Sequence, residues 1–143
     1  MNLEPFDAED GYRVWLDQSE VAQLLSRCQS QKEELAITLG VRSGLRASEI
    51  VAVEAQHVVD TSAGPRVRVH DSKGKRYRET PTTESVRSTA ATYAELPGPD
   101  ARLVPHRQRW VQRHLDALCA GPAADGEEMW QHVTPHDLRR TWA

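Results

Sequence analysis

Apolar positions recur along the chain with more than one period, and each change of period marks a change of element. Val21, Leu24, Leu25 and Cys28 follow helical spacing. Asp17, with Glu20 three residues on, supplies the start signal of a capping box. A second helix is predicted over residues 31–42, where Leu35, Ile37, Leu39 and Val41 are too densely apolar for an exposed helix. Ser43-Gly44 ends it, and Ile50, Val51 and Val53 predict a third helix at 47–54. From residue 57 the pattern changes. Val58-Val59, Val67-Arg68-Val69 and Tyr77 to Thr80 read as short strands, joined by glycine-bearing turns at 60–65 and 71–75. Helices return at about 83–96 and 105–120, separated by Pro97-Gly98-Pro99. Residues 121–128 read as a loop. Thr134-Pro135 then opens a last helix, with threonine as N-cap and proline in the first turn. Residues 1–13 read as a flexible acidic arm. The pattern predicts an α+β domain, mostly α-helical, with a small three-stranded antiparallel sheet near residues 57–80.

Length and composition narrow the class. The chain has 143 residues, 38% hydrophobic and 27% charged, enough to bury a core in one domain without disulfides or metal. Its N-terminal stretch lacks the basic start and apolar run of a signal peptide, and no apolar run spans a bilayer. The predicted compartment is the cytoplasm, with no membrane partner. The two cysteines, Cys28 and Cys119, stand far apart and outside any metal-ligand spacing, so both are expected on helices as small core residues. The four tryptophans, Trp15, Trp110, Trp130 and Trp142, are likewise expected in the core.

Charge changes the picture through its distribution. The net charge of −3 argues against a nucleic-acid binder if taken alone. Yet six acids (Glu4, Asp7, Glu9, Asp10, Asp17 and Glu20) crowd the first twenty residues. Residues 66–78 hold Arg66, Arg68, Lys73, Lys75, Arg76 and Arg78 against Asp71 alone. Such a chain can present one basic face to phosphate.

Three constellations carry chemistry. In Gly44-Leu45-Arg46-Ala47-Ser48-Glu49, Arg46 stands at a helix entry, where a guanidinium can grip phosphate oxygens in two-pronged fashion, and Glu49 shares its helix face as a supporting residue. Lys73, on the turn Asp71-Ser72-Lys73-Gly74-Lys75-Arg76, can reach a bound strand and donate a proton. His136 and Arg139, in Pro135-His136-Asp137-Leu138-Arg139-Arg140, share a helix face and can bracket one phosphate. Each alone is also an ordinary surface feature: an arginine beside a cap, a solvated basic turn, a helix start with Asp137 as its dipole-favoured acid. A fourth surface, His106, Arg109 and Arg113 at i, i+3 and i+7, reads as a DNA-contacting face or a solvated one.

Taken in order, G-L-R-x-S-E, a K-G-K hairpin and H-x-L-R after Thr-Pro resemble the active-site series of the tyrosine recombinases, the phage-integrase family. The resemblance covers about residues 15–143, and Lys73 to Pro81 also resembles the family's K-G-x-K-x-R-x-x-P hairpin, with Arg78 in its Arg position. It implies an integrase-like catalytic domain over residues 14–143 that needs no cofactor and no metal. It further implies site-specific DNA recombination or integration through a 3′-phosphotyrosyl intermediate, on double-stranded DNA, by assemblies that in the family are tetramers on two DNA sites. Arg46 and Arg139 would then grip the non-bridging oxygens, and His136 would assist the proton at the tyrosine. Lys73 would protonate the departing 5′-oxygen, with Lys75 the second candidate. Arg68, Lys75, Arg76, Arg78, Arg109 and Arg113 would contact DNA.

The series stops short of the family's full set. Its last His or Trp and its tyrosine lie beyond H-x-x-R, whereas Tyr12, Tyr77 and Tyr93 all precede His136. The domain is therefore expected to be C-terminally incomplete and inactive alone, with Val133, Leu138 and Trp142 left uncovered. The alternative is a non-catalytic DNA-binding remnant that keeps the phosphate-gripping residues. A type IB topoisomerase fits the spacing less well, and a helix-turn-helix regulator does not account for the inserted sheet.

Overall fold

The structure is a computed structural model that describes residues 1–5, 12–70, 77–124 and 126–142. The order is β1 (Asn2–Pro5), β2 (Tyr12–Trp15), α1 (Gln18–Arg27), α2 (Gln31–Ser43), α3 (Ala47–Ile50), β3 (Val58–Thr61), β4 (Gly64–His70), β5 (Tyr77–Pro81), α4 (Glu84–Glu95), α5 (Gln108–Ala124) and α6 (Pro135–Trp142). This is the mostly helical α+β fold that the pattern predicts. The predicted turn at 71–75, with Lys73, Lys75 and Arg76, lies outside the described residues.

Helix α2 is the spine, and its sequence says why. Leu35, Ala36 and Leu39 face one apolar cluster, shared with the sheet, α4 and the start of α5. Ile37 and Val41 face a second, shared with β2, α1, α5 and α6. A helix packed on two sides has little solvent face, hence its density of apolar residues. It starts on Ser30, whose Oγ accepts the Glu33 N–H at 3.2 Å, and ends at Gly44 in the left-handed region, φ 70°. Likewise the Asp17 carboxylate accepts the Glu20 N–H at 2.8 Å, and the Glu20 side chain accepts the Asp17 N–H at 3.0 Å, the capping box read from the sequence.

The three-stranded sheet has the order β3-β4-β5, antiparallel throughout. Val67 and Val69 of β4 face the core, while Arg68 and His70, which alternate with them, face solvent, as the period of two requires.

Tertiary pairing overrides local pattern in several places. The helix predicted at 47–54 ends at Ile50, because Val53 and Ala55 exchange backbone hydrogen bonds with Leu103 and Ala101 (3.0 and 2.7 Å). The helix predicted at 105–120 starts at Gln108 and runs to Ala124, and part of the expected 121–128 loop is helix. Residues 1–13 were expected as a loose arm, but Asn2–Pro5 pairs antiparallel with Tyr12–Trp15, and Val14 is fully buried. Val133 and Leu138, expected to lie uncovered, are 2% and 0% exposed, because β2 and α2 close over α6; Trp142 is 45% exposed. Trp130 is buried as expected, whereas Trp15 and Trp110 are half-buried. Among the described residues no helix is long and apolar enough to cross a membrane.

Candidate functional site

The Arg46 turn is shaped by its neighbours. Gly44 turns the chain out of α2, and a Cβ built on it would meet the Trp142 ring at 2.5 Å. One helical turn earlier, a Cβ on Gly40 would meet the Leu138 Cβ at 3.0 Å. Two glycines four residues apart on one face thus let α6 lie close against the end of α2. That approach brings the loop carrying Arg46 to the helix carrying His136 and Arg139. Strand β5 is pinned to the same corner: the Thr80 hydroxyl donates to the Ser43 carbonyl at 2.7 Å, and Ser43 Oγ bonds Thr82 Oγ1 at 3.1 Å.

Arg46 precedes a helix of one turn, so the dipole expected to favour an anion there is slight. The charge of the site comes from side chains. Glu49 accepts the Arg46 backbone N–H at 2.8 Å, and its two oxygens take both terminal nitrogens of Arg78, at 2.8 and 3.0 Å. Glu49 therefore grips Arg78 rather than the guanidinium of Arg46. Burial pushes the Glu49 carboxyl up, but the Arg78 and Arg46 hydrogen bonds and charges outweigh it and hold it below the usual range. The same pair raises Arg78.

Arg139 is half-buried, and its pKa is lowered first by burial, then by Arg46, with Arg78 adding to the effect and Glu49 opposing it. Burial likewise pushes the His136 imidazole below 6.5, helped by Arg140, Arg139 and Arg46 against Asp137. Arg46 and Arg139 thus act on each other and on His136, and Arg139 also feels Glu49 and Arg78: three guanidiniums, one carboxylate and an imidazole biased towards its neutral form. Cations held together before a ligand arrives suit an anion that carries more than one charge-bearing oxygen.

The other predicted DNA-contact residues divide. Register puts Arg78 opposite Val69, on the inner side of the sheet, and Arg68 opposite Glu79, on the outer side. Arg68 pairs with Glu79 there at 3.4 Å, and the Tyr77 hydroxyl donates to the same carboxylate at 2.6 Å. Arg68 and Arg78, pooled in the sequence reading, serve different faces. Arg109 and Arg113 are exposed on α5. His106 lies before that helix and stacks on Trp110 at 4.2 Å, with His114 stacked on the same indole at 4.0 Å, so it leaves the predicted arginine face.

The sequence marks Asp137 only as the dipole-favoured acid of a helix start. Its carboxylate is 1% exposed and accepts from Val14 N–H at 3.0 Å, from Thr134 N–H and hydroxyl, both at 2.9 Å, and from the Arg140 guanidinium. The spacing Thr134-x-x-Asp137 signalled the cap; nothing local signalled Val14.

The model of the phage integrase family matches residues 14–143. No curated protein matches the sequence. Among solved structures, the XerA recombinase is similar at TM-score 0.66 and 21% identity, over 90% of this chain and 48% of that one. The integrase from mycobacterium phage Brujita is similar at TM-score 0.65 and 17% identity, over 97% and 44%. The XerH site-specific recombinase in a pre-cleavage complex with its difH substrate is similar at TM-score 0.63 and 16% identity, over 92% and 42%. The chain thus spans a little under half the length of these structures, which share its fold. With a family model covering nearly the whole sequence, the chain belongs to the phage integrase family.

Proposed function

We propose that this chain binds duplex DNA and supplies the phosphate-activating residues of a site-specific recombinase. The observation that carries this reading is the gathering of Arg46, Arg139 and His136 beside the Glu49–Arg78 pair in a chain of this family. Arg46 and Arg139 hold the non-bridging oxygens of one phosphodiester. A tyrosine hydroxyl attacks phosphorus and passes its proton to His136, the bond from phosphorus to the 5′-oxygen breaks, and Lys73 protonates the departing oxygen. The 3′-phosphotyrosyl ester keeps the energy of the bond for attack by another strand's 5′-hydroxyl. The crowded, highly charged transition state is what prearranged cations stabilise. Duplex DNA is the partner and the cytoplasm the compartment; strand exchange between two sites calls for the tetramer that the family resemblance implies.

The attacking tyrosine comes from outside the described site. The Tyr12 ring packs against His132, tilted, at 4.4 Å, the Tyr77 hydroxyl donates to Glu79 on the outer face of the sheet, and the Tyr93 hydroxyl accepts from Lys32 at 2.9 Å. These positions favour a second reading of the chain by itself, DNA binding without cleavage.

Two measurements test both. Arg46→Ala and Arg139→Ala should each weaken duplex binding by about tenfold at low salt, read by fluorescence anisotropy, since each removes charged hydrogen bonds; unchanged affinity in both would refute the site. A nicked suicide duplex should form no covalent adduct with the chain alone, and one when a full-length relative lacking its own two arginines supplies a tyrosine. An adduct with the chain alone that disappears in Tyr77→Phe would show that the nucleophile lies within these residues.

A further inference from the structure

We infer that Asp137 and Thr141 are positioning residues: from the back of α6 they accept two backbone N–H groups of the β2 segment, and so set the pose in which His136 and Arg139 meet a phosphate. The inference rests on the functional reading above and adds to it the device that holds the site.

The bonds are Val14 N–H to Asp137 Oδ1 and Leu16 N–H to Thr141 Oγ1, both 3.0 Å. Val14 and Leu16 are two apart on an extended segment, so their N–H groups leave the same edge about 6.7 Å apart. Residues four apart on a helix stand on one face about 6 Å apart along the axis. The helix therefore offers side-chain acceptors at nearly the spacing of a strand, and takes the β2 edge that β1 does not.

At about 100° per residue, His136 and Arg139 project from the side of α6 roughly opposite Asp137 and Thr141. Between the two sides, Leu138 and Trp142 lie against Gly40 and Gly44. The helix is thus held on two faces and presents the third to the site. Asp137 has no capacity left for proton transfer. Oδ1 takes Val14 and Arg140, and Oδ2 takes both donors of Thr134, which fills the four lone-pair positions of a carboxylate. A helix cap alone needs only Thr134. The Val14 bond, across 123 residues of sequence, is what ties the pose of the helix to the β2 segment.

Thr141→Val tests this, because it removes one acceptor with almost no change of shape or charge. Duplex affinity is measured by anisotropy in the wild-type chain, Thr141→Val, Arg139→Ala and the double variant, with circular dichroism melts as the check on folding. Thr141→Val should weaken binding about fivefold, and it should add nothing once Arg139 is gone. Thr141→Ser, which keeps the hydroxyl, should behave as wild type. An equal loss in both Arg139 backgrounds, or none in either, would overturn the inference. Should Arg139→Ala itself leave affinity unchanged, the functional reading fails instead, and a second readout stands apart from DNA. The charged groups acting on His136 are Arg140, Arg139, Asp137 and Arg46, and Thr141→Val alters none of them. If the pose shifts and the imidazole gains water, the His136 titration followed by NMR moves up towards 6.5. An unmoved midpoint in the folded variant would count against a positioning role whatever the DNA result.

Discussion

Gly44 is the residue on which the corner of the site turns. Its φ of 70° is costly for a residue with a Cβ, and that Cβ would collide with Trp142. Gly44→Ala should therefore lower the unfolding free energy by about 2 kcal/mol or more, the sum of backbone strain and steric overlap. In a Trp142→Ala background the collision disappears and only the strain of about 1 kcal/mol should remain. Urea denaturation of the four proteins measures the difference; an equal penalty in both backgrounds would mean that the indole does not press on this glycine. His136 supplies a second prediction at this scale. Its folded pKa lies below 6.5, so between those two values the unfolded chain binds more protons than the folded one. The stability owed to neutral His136 is present above 6.5 and is lost as pH falls through the folded value. His57 and His106 are shifted in the same direction by burial, so the test is a difference. His136→Gln should flatten the fall in stability between pH 7 and pH 5 relative to wild type, read from denaturation at each pH, and a slope equal to that of wild type would refute the claim.

Among the elements, the β1–β2 hairpin separates pattern from structure most sharply. Its acids suggested a solvated arm, yet Met1 and Leu3 pack against the buried cluster that contains Val14, Leu16 and Leu138. Removing residues 1–11 strips those contacts and leaves β2 without its strand partner. The expected cost is about 1–2 kcal/mol from apolar surface returned to water, seen as a lower thermal midpoint. Unaltered melting would restore the picture of a dispensable arm. The short α3 makes the opposite point: its apolar positions continue a helical rhythm to Val53, but backbone pairing with residues 101–103 is worth more there than one further helical turn.

For the whole molecule, the question is how a chain of net charge −3 would hold the duplex proposed as its partner. Several of its arginines are neutralised in place, Arg78 by Glu49, Arg68 by Glu79 and Arg87 by Glu84 and Asp60. Arg109 and Arg113 stand exposed on α5, one helical turn apart. If they face the duplex with Arg46 and Arg139, affinity falls steeply with salt, and each Arg→Ala change on α5 should lower the slope of log K against log salt by about 0.9. Arg68→Ala, at a residue already paired with Glu79, should change the slope less. Equal slopes for wild type and the α5 variants would place the duplex elsewhere.

The sequence by itself determined most of the elements and pointed to the candidate site residues. Caps and periodicity are local: Asp17 with Glu20, Ser43-Gly44, Thr134-Pro135 and the alternation in β4 each act within a few residues. The order of Arg46, the Lys73 hairpin and His136 with Arg139 sufficed to suggest the family. Only the tertiary structure decided what these residues touch. That Glu49 takes Arg78 rather than Arg46, that Arg68 and Arg78 part to opposite sides of the sheet, and that Asp137 is a buried anchor for Val14 all depend on partners far apart in sequence. Hydrogen bonds and charge pairs act over a few ångströms, and which distant groups come that close is set by packing: Gly40 and Gly44 against Leu138 and Trp142, and β2 against the back of α6.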